Sequence, residues 1–189
     1  MQRLKLINKF LFLNFFVFTT YILIDVFQIY LLTGLKAQSS EGLVASYIYL
    51  PHGLRVILAI IFGPITFFGL LTAHIYTGFK STLEINNLIL LSSLLSTIVP
   101  YLSVFLLLKK FKIKIYEIKL ISIISISILS AFLNAFFSVL SRFFYNFYEE
   151  AIFTVKFFKF FIGDTLGVLF LFLLIILLNL LNKIFTKTK

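Results

Sequence analysis

A helix can cross a lipid bilayer only where about twenty consecutive residues are predominantly apolar, because every backbone N–H and C=O in hydrocarbon must find its partner inside the helix. Six such runs occur in these 189 residues: Phe10 to Leu32, Leu43 to Phe62, Ile65 to Phe79, Leu88 to Leu108, Leu120 to Leu140 and Phe157 to Leu181. They predict an all-α, polytopic transmembrane bundle forming a single domain over residues 1–189. The third run is short, and Gly63-Pro64 separates it from the second with no intervening charge, which predicts a tight helical hairpin or a partly re-entrant pair. Arg3, Lys5 and Lys9 ahead of the first run give it a superficial likeness to a secretory signal, but the run is too long for a signal core and lacks a small-residue cleavage site. It reads as a retained span.

Charge placement supports the count and sets the orientation. With the N-terminus inside, the cytoplasmic set is Arg3, Lys5, Lys9, Lys109, Lys110, Lys112, Lys114, Lys119, Lys183, Lys187 and Lys189, eleven residues; the external set is Lys36, Lys80, Arg142, Lys156 and Lys159, five residues. Glu41, Glu84, Glu149 and Glu150 accompany the external ones. Lys and Arg resist translocation, so six spans with both termini cytoplasmic is the expected topology. Merging the second and third runs would put the Lys109 to Lys119 cluster outside. The net charge of +10 is therefore an orientation and anionic-lipid signal, and no nucleic-acid partner is expected. The abundance of Phe, Ile, Asn and Lys points to a bacterium with an AT-rich genome, hence to a bacterial inner membrane.

Several chemistries are absent from the sequence. Without cysteine there is neither a disulfide framework nor a thiolate ligand or nucleophile. No phosphate-binding glycine loop, nucleophile elbow, zinc-protease motif or recognisable carboxylate pair occurs, so neither an enzyme nor a cofactor is expected. No ligand spacing supports a metal site.

Ionisable groups inside a span are costly and are commonly paired or functional. Five stand out as candidate ligand-binding residues: Asp25, His52, Arg55, His74 and Asp164. Counting 1.5 Å per residue from the outer ends of the spans puts Asp25 and Asp164 about 10 Å deep, His52 about 13 Å, His74 about 7 Å and Arg55 about 18 Å. Four helices thus send such groups into the outer half of the membrane, which predicts an outward-facing polar pocket. On the first span Asn14, Tyr21, Asp25 and Gln28 share a face that should look into the bundle. On the second, Leu50-Pro51-His52-Gly53-Leu54-Arg55 combines a helix breaker, a glycine and two ionisable groups, which predicts a kinked or unwound segment at membrane depth. Plainer roles stand beside these: Arg55 with Asp164 or Asp25 as a structural ion pair, and His52 and His74 as hydrogen-bonded packing residues. Ser127, Ser130, Asn134, Ser138 and Ser141 share one face of the fifth span and read as a packing seam, as do the Gly69 to Ala73 and Gly163 to Gly167 pairs.

Two segments carry a more specific likeness. The stretch Tyr47-Ile48-Tyr49-Leu50-Pro51-His52-Gly53-Leu54-Arg55, followed by Ile60-Ile61-Phe62-Gly63-Pro64 and Phe68-Gly69, resembles the Pro-x-Gly segment and subsequent Gly-Pro turn of the MASE1 membrane sensor domain. Phe161-Ile162-Gly163-Asp164-Thr165-Leu166-Gly167-Val168-Leu169 is similar to that family's Gly-Asp-x-x-Gly stretch in a late helix. The resemblance implies a bacterial inner-membrane sensory module in which Pro51, Gly53, Gly63, Pro64, Gly163, Asp164 and Gly167 occupy motif positions. It departs from the family in Leu50, which replaces an aromatic residue, in its smaller helix count, and in having no output domain after Leu181. A sensor of this form implies a small ligand or proton and a separate protein partner. The size, helix count and outward pocket are also similar to the substrate-binding subunits of energy-coupling-factor vitamin transporters, with the serine seam as a docking face. A membrane scaffold without a ligand is the third expectation.

Overall fold

The computed structural model describes residues 2–34, 48–111, 120–145 and 150–187. Six α-helices run through them: α1 (Gln2–Gly34), α2 (Leu50–Phe62), α3 (Phe67–Thr82), α4 (Asn87–Phe111), α5 (Leu120–Phe144) and α6 (Glu150–Lys187). A 3₁₀ turn, Gly63–Thr66, joins α2 to α3. No strand occurs among the described residues, as an all-α bundle requires. The start of the second predicted span (residues 43–47), Lys36, Glu41, the Lys112 to Lys119 part of the basic loop, Glu149 and Lys189 lie outside the described residues.

Five stretches are long and apolar enough to cross a bilayer: Lys5–Tyr30, Leu50–Thr82, Asn87–Lys109, Leu120–Phe144 and Phe153–Leu180. Large apolar side chains cover their outer surfaces, Phe12, Phe15, Leu173 and Leu177 among them, as a lipid-facing exterior demands. The chain is thus a multi-pass helical membrane protein.

The second stretch is folded back on itself. α1 is one long rod, so the α1 residue that each part of α2 and α3 touches reports its level. Ile48 and Leu50 meet Gln28, whereas Ile65 meets Asn14, so α2 runs antiparallel to α1. Beyond the turn the order inverts: Phe68 packs on Phe10, His74 on Tyr21 and Tyr76 on Phe18. α4 registers the same reversal, since Arg55 bonds Ser96, Thr66 bonds Tyr101, and His74 bonds Ser93. The turn falls at Gly63, whose φ of +63° and ψ of −157° belong to a region that only glycine enters without strain. Pro64 follows it inside the 3₁₀ turn.

The sequence predicts a kink around Pro51, and the structure puts the break one step earlier. Tyr49 is non-helical (φ −110°, ψ 89°), and α2 starts at Leu50 with Pro51 in its first turn. There the missing N–H costs nothing, because first-turn donors have no intrahelical acceptor. α2 is therefore short, about 20 Å at 1.5 Å per residue, and its first turn lies at the level of Gln28 in α1 and Gly163 in α6. It is also the central helix: Leu50 through Ile60 are buried without a gap, enclosed by α1, α4, α5 and α6.

Two side-chain amides on α1 satisfy backbone groups at the start of α2 and at the turn into α3. Gln28 Nε2 donates to the Ile48 carbonyl at 2.6 Å while its Oε1 accepts from the Leu50 N–H at 2.7 Å. Asn14 Nδ2 donates to the Ile65 carbonyl at 2.9 Å while its Oδ1 accepts from the Gly69 N–H at 2.6 Å. In hydrocarbon these groups have no water to turn to, so each amide replaces the ladder that a continuous helix would supply.

Candidate functional site

The site is built where α2 begins. Its first turn lies on α6 backbone to backbone: the Tyr49 N–H donates to the Gly163 carbonyl at 2.8 Å, and Gly167 meets the Tyr49 carbonyl so closely that no side chain fits. A methyl on Gly53 would lie 2.5 Å from the Gly167 oxygen. The glycines therefore act as a pair, permitting a helix contact closer than any Cβ would allow. Thus the two stretches of the sequence-level resemblance face each other across one interface.

That contact carries three ionisable side chains into the interior. His52 and Asp164 are 0% exposed and Arg55 1%. His52 Nδ1 stands 3.9 Å from Asp164 Oδ2, too far for a direct hydrogen bond. α5 closes the cluster from the other side: Ser130 Oγ bonds His52 Nε2 at 3.2 Å, and Asn134 Nδ2 donates to Asp164 Oδ2 at 2.6 Å. Four buried atoms of the cluster, His52 Nδ1, Arg55 Nε, Asn134 Oδ1 and Asp164 Oδ1, have no hydrogen-bond partner. Unpaired polar atoms in a dry interior are costly, so their concentration at one place sets this cluster apart from a finished packing seam.

Arg55 does not contact Asp164 directly. Its Nη1 donates to the Ser96 carbonyl at 2.9 Å. That acceptor exists because Pro100, inside α4, has no N–H to give the carbonyl four residues earlier. The guanidinium acts on the carboxylate through space, as a nearby positive charge, and not as half of a locked ion pair.

The five predicted site residues divide into two groups. His52, Arg55 and Asp164 come together. His74 lies apart: its Nδ1 bonds Ser93 Oγ at 3.2 Å and its ring packs 6.0 Å from that of Tyr21. Asp25 is only partly buried and lies within electrostatic range of Lys80 of α3. Among the motif positions, Pro51, Gly53, Gly163 and Gly167 build the α2 to α6 contact, and Gly63 and Pro64 form the chain reversal.

Sequence reasoning missed Ser130, Asn134, Ser96 and Pro100 as site components. The signal for the last was present, since a proline within an apolar run always frees a carbonyl one turn back. The serine seam is consumed within the chain: Ser127, Ser130, Asn134, Ser138 and Ser141 are all buried. A docking role for it loses its basis. No cluster of three His, Cys, Asp or Glu side chains suited to a metal occurs among the described residues. Comparisons with protein-family models, curated proteins and solved structures find no match for this chain.

Proposed function

We propose that this chain is a six-span bacterial inner-membrane protein with both termini in the cytoplasm, acting as a stand-alone sensory domain of the MASE1 kind. α2 and α3 are then separate crossings. In this reading a small ligand or a proton binds at the His52, Arg55 and Asp164 cluster in the outer half of the membrane. Binding redistributes contacts among α2, α5 and α6, and a protein partner reads the shift at the cytoplasmic side. The observation that carries it is the meeting of the Pro51 to Arg55 stretch with the Gly163 to Gly167 stretch around fully buried, incompletely bonded ionisable groups.

The mechanism needs no catalysis. A ligand shifts an equilibrium only by the difference in its affinity for the two arrangements. Asp164 is suited to be that lever, because one of its oxygens is held by α5 and the same oxygen faces His52 on α2. Native mass spectrometry of the protein gently extracted from its own membrane tests the reading. A co-purifying signalling protein whose association is lost in Asp164→Asn supports it. A vitamin-sized molecule with an ATPase complex would instead identify a transport subunit. Bare protein, with Asp164→Asn and Arg55→Met behaving like the parent, would leave a scaffold.

A further inference from the structure

The proposed function leaves the ligand open between a small molecule and a proton; resting on that reading, we propose that it is a proton, carried by Asp164 and shared with the side-chain amide of Asn134. Both groups are planar with two polar atoms apiece. One edge is joined, Asn134 Nδ2 donating to Asp164 Oδ2 at 2.6 Å. The remaining atom of each, Asn134 Oδ1 and Asp164 Oδ1, is buried without a partner. An ionised carboxylate can only accept and an amide oxygen can only accept, so the two cannot satisfy each other as they stand. One proton changes this. Protonated Asp164 Oδ1 becomes a donor to Asn134 Oδ1, and the pair closes into a cyclic acid and amide dimer with two hydrogen bonds. The proton comes from water and returns to it, and no other bond forms or breaks.

The groups around Asp164 make the proton removable. α2 presents His52, with Nδ1 3.9 Å from Oδ2, and Arg55 one turn further on. Tyr49, just before α2, is also within electrostatic range. α5 presents Asn134 and, two turns along, Arg142, which donates to the Ser138 carbonyl. His74 of α3 lies within electrostatic range of both His52 and Arg55, and Tyr21 of α1 within range of Arg55. Arg55 is bonded to the Ser96 carbonyl and makes no direct ion pair with Asp164, so it does not lock the carboxyl group. A metal ion fits poorly here: beyond the two free oxygens, Arg55 and the Asn134 nitrogen present donors, whereas a hard cation needs a shell of oxygens. Protonation would therefore tie α6 to α5 through Asn134, and release of the proton would turn Asp164 toward His52 and Arg55 on α2. The ligand and the helix shift are then one event.

Infrared difference spectroscopy of the full chain in lipid vesicles, recorded between two pH values, reads this directly. A protonated-carboxyl C=O band should grow as pH falls, vanish in Asp164→Asn, and move in frequency and midpoint in Asn134→Ser. Asp25 and Asp164 are the chain's only aspartates, so carbon-13 aspartate labelling of the parent and of Asp25→Asn assigns the band even if Asp164→Asn fails to fold. No titrating carboxyl band, a band that survives Asp164→Asn, or one indifferent to Asn134→Ser would overturn the proposal. A titrating Asp164 in a protein whose partner association ignores pH would uphold the proton site and remove the sensory reading.

Discussion

A methyl group on Gly53 would stand 2.5 Å from the carbonyl oxygen of Gly167. Backbone cannot yield as a flexible side chain can, so Gly53→Ala or Gly167→Ala must push α2 away from α6. Overpacking of this kind typically costs about 1 to 3 kcal/mol. Unfolding in mixed micelles should show that loss for either variant. Because the displaced helix carries His52, the separation between it and Asp164 should widen as well.

Gln28 holds the start of α2 with both of its polar atoms. Gln28→Leu keeps the size and removes both bonds, leaving the buried Leu50 N–H to find another acceptor, for about 1 to 3 kcal/mol. Hydrogen exchange at the first turn of α2 separates a local loosening from global unfolding.

Arg55 and Pro100 should be coupled although they lie on different helices. Pro100→Ala supplies an N–H for the Ser96 carbonyl and competes with the guanidinium for it. Arg55→Met should consequently cost less in the Pro100→Ala background than in the parent. Coupling between residues sharing one partner is usually about 0.5 to 3 kcal/mol, and a double-mutant cycle on unfolding free energy measures it. Additive effects would show that the carbonyl is not shared.

The six-span topology is tested at the α3 to α4 turn. The natural sequence has no cysteine, so single substitutions need no altered background. Glu84→Cys should react with an impermeant thiol reagent from outside the cell, while Lys9→Cys should react only after the membrane is opened. Labelling of both from one side would overturn the six-span topology.

Much of the architecture was legible in the sequence because hydropathy reports directly on length. The turn at Gly63-Pro64 followed from its residue types, and the small-residue contacts at Gly163 and Gly167 from spacing; of the predicted inward face of α1, Asn14, Tyr21 and Gln28 are buried and Asp25 only partly so. The candidate site was only half legible, for a geometric reason. Position within a span fixes depth, but two residues at one depth can point to opposite sides of their neighbours. Asp25 and Asp164 share a level by that count, yet Asp164 sits in the cluster and Asp25 near Lys80. The purpose of Asn14 and Gln28 was hidden for a related reason: their partners are backbone groups exposed by breaks whose location depends on tertiary structure. Leu50 could not be known to begin a helix until α1 and α6 were there to satisfy it.

The fold-back at Gly63 bears on how the protein is made. A span that enters the bilayer independently needs its own length of apolar chain and a flanking charge to fix its direction. α2 is 13 residues of the 20-residue apolar run Leu43 to Phe62, and the uncharged Gly63-Pro64 gives it no flanking charge at its far end. Its first turn is received by the Gln28 amide of α1, and its face by glycines that emerge only with α6. Membrane proteins of this sort form in two stages, insertion of self-sufficient helices and then their association. The ionisable centre belongs wholly to the second stage, so a chain released before α6 is synthesised would hold a central helix without the glycine face and the carboxylate that α6 brings to it.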